Sequence, residues 1–122
     1  MLVVMKCLHT TILVSDLARS QYFYETILGL QQTRRSLNFP GVWYQIGDYQ
    51  IHLVVDINYK NTRINADKWG RNPHIALGVN NLQDTISYLE SQSYIFQRSA
   101  SGRPALFLQD PDGNTIEITH IN

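Results

Sequence analysis

Two stretches of the chain carry the same alternation of apolar and polar positions. The run from His9, HTTILVSDLARSQYFYETILGL, lies over the run from His74, HIALGVNNLQDTISYLESQSYI, at an offset of 65 residues. Under that shift Ile12 meets Leu77, Val14 meets Val79, Leu17 meets Leu82, Phe23 meets Tyr88 and Leu30 meets Ile95. The register continues ungapped to Ile51 over Ile116 and Leu53 over Ile118. A repeat of this kind predicts two copies of one supersecondary unit.

Each copy has the same order of elements. A β-branched run, LHTTILV or HIALGV, predicts a strand. Ser15-Asp16 and Asn80-Asn81 follow as helix caps, because their short oxygens accept the free N–H groups of a first turn. Leu17, Tyr24 and Leu28, and then Leu82, Ile86 and Leu89, recur at helical spacing. Gly29 stands where a helix can close in a left-handed conformation. Three strand-like runs come next in the first copy: QTRRSLNF, VWYQIG and YQIHLVV, the last two joined at Gly47-Asp48. In the second copy PALFLQD and TIEITHI are joined by Pro111-Asp112-Gly113-Asn114, where Pro presets φ and Gly supplies a positive one.

Two βαβββ modules are therefore expected, at about 6–56 and 72–120, with a polar linker at about 57–71. One such module cannot bury both faces of a small sheet. Side by side, the pair predicts an α+β domain with a curved, roughly eight-stranded mixed sheet, helices outside and a concave face inside.

Composition narrows the function. Hydrophobic residues make up 43% of the 122 and charged residues 16%, the balance of a folded soluble protein. Ten basic and ten acidic residues cancel, which argues against a broad electrostatic grip on nucleic acid or an anionic membrane. The apolar start, MLVVM, is too short for a signal-peptide core, and no run is long enough to span a bilayer. A single cysteine, Cys7, leaves no internal disulfide, so a cytoplasmic location is expected, with Cys7 as a small buried thiol.

The repeat also pairs the residues with metal chemistry. His9 lies over His74, and His52 over Glu117. Each sits within a strand-like run among apolar neighbours, where a polar group needs a partner or a function. If a pseudo-twofold axis relates the modules, equivalent strand positions converge. His9, His52, His74 and Glu117 then form a ligand set for one divalent ion: zinc, nickel, cobalt, manganese or iron. The fourth histidine, His120, is three residues from Glu117 and is expected on the opposite face, at the surface. Thr11 shares a face with His9, and Gln50 shares one with His52. Both are candidate substrate contacts.

With these motifs the chain resembles the vicinal oxygen chelate superfamily, also called the glyoxalase/bleomycin-resistance/extradiol-dioxygenase group. The matching pieces are HTTILVSDLARSQYFYETILGL, HIALGV and, most specifically, FLQDPDGNTIEI. The resemblance implies that His9, His74 and Glu117 are ligands. His52 falls where bacterial glyoxalase I has Glu and methylmalonyl-CoA epimerase has Gln. The shared chemistry is bidentate chelation of two adjacent substrate oxygens. Four protein ligands leave room for one chelating pair, which favours isomerase or lyase chemistry. Three leave room for a catecholate and dioxygen, which favours an extradiol-type Fe(II) dioxygenase. Glu117 is the remaining carboxylate able to accept a proton.

By the same resemblance Trp43 is expected to face the pocket in preference to Tyr44. Phe107 is a wall residue, and Arg103 a candidate contact for an anionic group. Of Arg34 and Arg35, which face opposite ways, at most one enters a pocket. Relatives that bind bleomycin without metal chemistry give a non-catalytic reading, an antibiotic-sequestering protein, against which the ligand set argues. A homodimer is implied, with sites possibly shared between chains.

Overall fold

Alternation sets the strands of the first half. The computed structural model describes residues 1–34, 38–62 and 65–122. In β1, His9–Val14, the residues His9, Thr11 and Leu13 are exposed while Ile12 and Val14 are buried. β1 pairs in parallel with β4, Tyr49–Val55, and β4 pairs antiparallel with β3, Gly41–Ile46. A two-residue β2, Gln31–Gln32, completes a sheet of order β1-β4-β3-β2. The strand expected over QTRRSLNF is thus short and starts earlier; Arg35, Ser36 and Leu37 lie outside the described residues.

Between β1 and β2 the chain turns through α1, Leu17–Gln21, and a π-helical stretch, Tyr22–Ile27. Asp16 caps α1 by accepting the Arg19 N–H at 3.0 Å. The wider π turn, with Leu28 N–H reaching the Phe23 carbonyl, brings Phe23, Tyr24 and Ile27 all into the core. Gly29, at φ +72°, ends it in the left-handed region, as its position predicted. Tyr24 lies near Tyr44, and Ile51 and Leu53 are fully buried. Each such side chain contributes about 1.5–3 kcal/mol of burial.

The second half repeats this plan. β5, His74–Val79, pairs in parallel with β8, Thr115–His120. β8 pairs antiparallel with β7, Ala105–Gln109, and β6, Gln97–Arg98, is the far edge, giving the order β5-β8-β7-β6. The helix α2, Leu82–Ser91, is capped by Asn81 and buries Ile86 and Leu89. The turn between β7 and β8 is tied by Asp110, which accepts the N–H groups of Asp112 and Asn114 and the Asn114 amide.

The chain divides into two units, Met1–Tyr59 and Lys60–Asn122. Each is one four-stranded mixed sheet with its helix, so the α+β class and the βαβββ order hold. Much of the stretch expected as a linker belongs to the second unit. There a 3-10 turn, Trp69–Arg71, is fastened by Gln97, which accepts the Trp69 N–H and donates to the Asp67 carbonyl. The repeat is not ungapped throughout. Trp43 pairs with His52, and Phe107 with Glu117, so the third strands correspond at an offset one residue shorter than the first and fourth strands do. The longer Asp-Pro-Asp-Gly-Asn turn restores the register. Cys7 is exposed, not buried, because it precedes β1 in a segment, Met1–Leu8, that is exposed throughout.

Candidate active site

The two units place their candidate ligands in the same way. Parallel pairing sets Thr11 opposite His52 and Ala76 opposite Glu117. In each case the histidine that opens the first strand, His9 or His74, is two residues away and on the same face. The antiparallel neighbour then sets an aromatic ring beside the second ligand: Trp43 beside His52, Phe107 beside Glu117.

In the first unit the rings stack. Trp43 covers His52 with centroids 3.7 Å apart and planes 4° from parallel. His9 lies over His52 at 4.2 Å and 15°. A metal sits close to the plane of an imidazole that binds it, so two rings face to face cannot both hold one ion. Ligation by both requires one ring to turn, and exposed His9 is less constrained than buried His52. A relay of amides sets the His52 tautomer. The Gln45 amide nitrogen donates to the carbonyls of Gly47 and Tyr49, so its oxygen is the acceptor for Gln50 Nε2 at 2.7 Å. Gln50 Oε1 must then accept from His52 Nε2 at 2.8 Å, which leaves the imidazole lone pair on Nδ1. Gln50 thus uses both ends of its amide within the unit.

In the second unit His74 and Glu117 face each other, Nε2 to Oε1, at 3.0 Å. The His74 Nδ1 lies 2.7 Å from the Asn72 carbonyl, which can only accept, so Nδ1 carries a proton. A neutral His74 then points its lone pair at a carboxylate. A cation has to stand between them, either a proton or a metal ion, and this donor set fits a divalent ion. Glu117 is 6% exposed. Burial pushes its carboxyl up, but hydrogen bonds from Thr119, Arg103 and His74, with the Arg103 charge, more than offset that and hold it below the ordinary value. Arg103 Nη1 is 3.5 Å from Glu117 Oε2. Phe107 meets the His74 ring edge-on at 5.5 Å.

Beside this pair a cavity of about 420 Å³ is lined by Lys68, Gly70, Arg71, Gln97, Arg103 and Phe107, with Ser99, Ala100 and Ser101. Three of these are cationic and none is acidic, so the recess favours an anion. Lys68 and Arg71 were not anticipated, because both fell in the stretch taken as linker. His120 is on the helix side of β8, where its Nδ1 accepts the Leu82 N–H at 3.4 Å. Among the described residues the candidate ligands stand as two pairs, and no three of His, Cys, Asp and Glu are gathered to hold a metal. No helix among them is long and apolar enough to cross a membrane.

Comparison with known proteins bears on the family and the fold. The sequence profile of the Glyoxalase/Bleomycin resistance protein/Dioxygenase superfamily matches residues 6–118. The lactoylglutathione lyase of Salmonella typhimurium is 31% identical over 124 residues, covering 93% of this chain and 91% of that protein. The lactoylglutathione lyase of Haemophilus influenzae is 29% identical, with the same coverage. Among solved structures, a glyoxalase/dioxygenase from Nostoc punctiforme superposes with a TM-score of 0.75 at 22% identity, covering 93% of this chain and 88% of that one. The trypanothione-dependent glyoxalase I of Leishmania major gives 0.72 at 24%, covering 96% and 87%.

Proposed function

Because the chain belongs to the Glyoxalase/Bleomycin resistance protein/Dioxygenase superfamily, we propose that it is a divalent-metal-dependent enzyme of glyoxalase type, acting by isomerase or lyase chemistry on a small substrate with two adjacent oxygens. The observation that carries this reading is the His74–Glu117 pair, two lone-pair atoms set 3.0 Å apart with the other imidazole nitrogen tied to a carbonyl. The lactoylglutathione lyases among its relatives support the reaction class.

The proposed ligands are His9, His52, His74 and Glu117, one pair from each unit, taken from one chain or from two copies in a homodimer. When bound, the ion supplies Lewis acidity toward the two adjacent oxygens. Glu117 is the proton acceptor, and Thr119 and Arg103 keep its carboxylate ionised for that role. Arg103, Lys68 and Arg71 hold an anionic group of the substrate. Phe107 and Trp43 are aromatic walls, and the Thr11 hydroxyl, opposite His52, is a further substrate contact. A cytoplasmic location suits the lone, exposed Cys7.

The His9–His52 stack favours a second reading. If His52 stays under Trp43, three ligands remain, and an Fe(II) extradiol dioxygenase becomes the alternative. Parallel assays separate the two. Protein loaded with Ni(II) or Zn(II) is given the hemithioacetal of glutathione and a 2-oxoaldehyde; protein loaded anaerobically with Fe(II) is given catechols and then air. Isomerisation without oxygen uptake is the expected result. Oxygen uptake coupled to ring cleavage would replace this reading with the second.

A further inference from the structure

The recess beside Phe107 carries more positive charge than the repeated fold requires. Lys68 and Arg71 flank the 3-10 turn, Arg103 comes from the loop before β7, and all three line the cavity of about 420 Å³. Arg103 Nη1 is shared with Glu117 Oε2 at 3.5 Å. Among the described residues Lys68 and Arg71 make no ion pair. The first unit does without this charge. Arg103-Pro104 lies over Phe39-Pro40 at the offset of the third strands, and Lys68 lies over Val3 at the offset of the first. Lys6, the equivalent of Arg71, is paired with Asp48 at 3.4 Å, and Gly113 stands where the second unit would need that carboxylate. The walls are held in place. Gln97 fastens the turn through the Trp69 N–H and the Asp67 carbonyl, and Gly70 lies so close to Phe107 that a Cβ there would stand 2.5 Å from the ring.

We propose that this recess is a subsite for a doubly charged oxyanion group, so that the substrate carries a phosphate monoester or a pair of carboxylates close to its two adjacent oxygens. Two unshared cations and the remaining donors of a third match a dianion. A single carboxylate would leave one cation uncompensated. A phosphate monoester carries about −1.5 to −2 charges at neutral pH and three acceptor oxygens. Guanidinium forks bind such a group through two bonds at once. Arg103 touches both the recess and Glu117, so the group sits one guanidinium away from the proton acceptor. The cavity is larger than a phosphate, which leaves room for the atoms that join the group to the reacting oxygens. The substrate class rests on the glyoxalase-type reading above. The anion subsite does not, since it is built within the second unit and needs no metal.

Backbone ¹H–¹⁵N spectra of the metal-free full chain, titrated at low ionic strength with inorganic phosphate, malonate and acetate, test the subsite. Shifts should centre on Gly70, Arg71 and the 99–103 loop. Phosphate and malonate should bind about tenfold more tightly than acetate, the equivalent of one further charge-assisted bond. Their affinity should fall as sodium chloride is added. Lys68→Ala and Arg71→Ala, both at exposed side chains, should each weaken dianion binding about three- to tenfold, and Lys68→Arg should keep it. Phosphate ahead of malonate supports the monoester, and malonate ahead of phosphate supports the paired carboxylates. Acetate binding as tightly as both would overturn the proposal. So would unchanged dianion binding in a folded Lys68→Ala/Arg71→Ala double variant.

The substrate class is tested on the metal-loaded enzyme. It is given hemithioacetals of one 2-oxoaldehyde with and without the dianionic group that bound more tightly. The charged substrate should have a kcat/KM about tenfold higher, and the double variant should lose that advantage. Equal kcat/KM for the two substrates would overturn the substrate class. Dianion binding with no turnover of either substrate would instead strike the glyoxalase-type reading and leave the anion subsite standing.

Discussion

Glu117→Gln separates what the carboxylate does for the fold from what it does for a metal. In the metal-free protein the amide can satisfy every neighbour. Its nitrogen donates to the lone pair on His74 Nε2, and its oxygen accepts from Thr119 and Arg103. No buried group is orphaned, so the large penalty of an unpaired donor does not arise. What is lost is the charge-assisted part of the bonds from Arg103 and His74. A hydrogen bond to a charged group is worth about 1.5–3 kcal/mol against about 1 for a neutral one. Arg103 is half exposed and 3.5 Å away, so its share is discounted for solvent screening. Relief from burying a charge offsets part of the rest.

A net loss of about 1–2 kcal/mol at neutral pH follows from those bond values. Its pH dependence has a definite sign. The folded-state carboxyl is held below its ordinary value of 4.5, so its stabilisation is present above that pH and is lost as the pH falls through the lower folded value. Urea unfolding of the metal-free wild type and variant from neutral to acid pH should give a gap that is constant at neutral pH and closes in acid. A pH-independent gap, or one that widens in acid, would refute the reasoning about how this carboxylate is held.

Two further outcomes test neighbouring contacts. Gly70→Ala would place a Cβ 2.5 Å from Phe107 Cζ. Since Phe107 is buried, a loss of about 1–3 kcal/mol in denaturant unfolding is expected, together with weaker binding of an anionic inhibitor as the Lys68–Arg71 turn shifts. For Tyr44, burial foremost and then Glu25 push the phenol far up, so its stabilisation is complete below about pH 10 and is lost as the pH rises beyond. Tyr44→Phe should cost about 1 kcal/mol at neutral pH and flatten the alkaline decline in stability, as measured by unfolding from pH 8 upward.

The element order was legible because apolar alternation, caps and turn residues all point the same way. Ile12 and Val14, Asp16, Gly29 and the Asp110–Asn114 turn each do in the structure what their chemistry predicts. The pairing of His9 with His74 and of His52 with Glu117 was legible because the repeat is carried by strands, where a shift of one residue would reverse every side chain. Alternation left Trp43 and Tyr44 open, and the resemblance chose Trp43, which pairs with His52 and stacks on its ring.

Other features were not legible, for identifiable reasons. The π-helical turn at Tyr22–Ile27 preserves the apolar face while changing the hydrogen-bond step, so periodicity alone does not reveal it. The polar stretch before His74 reads as a linker because its order comes from side-chain amide bonds of Asn72 to Asn65 and of Gln97 to Asp67 and Trp69, which leave no periodic pattern. For the same reason Lys68 and Arg71 went unremarked. The bonds of Gln50 to Gln45 and His52 were likewise not legible, since facing alone names no partner.

The central claim is that His9, His52, His74 and Glu117 hold a divalent ion. Elemental analysis after reconstitution with Ni(II) or Zn(II) tests it most directly, on the wild type and on His9→Ala, His52→Ala, His74→Ala and Glu117→Gln, each verified as folded. The account predicts about one ion per site in the wild type and a clear loss in all four variants, deepest at His74 and Glu117. Full metal content in His74→Ala and Glu117→Gln would contradict it.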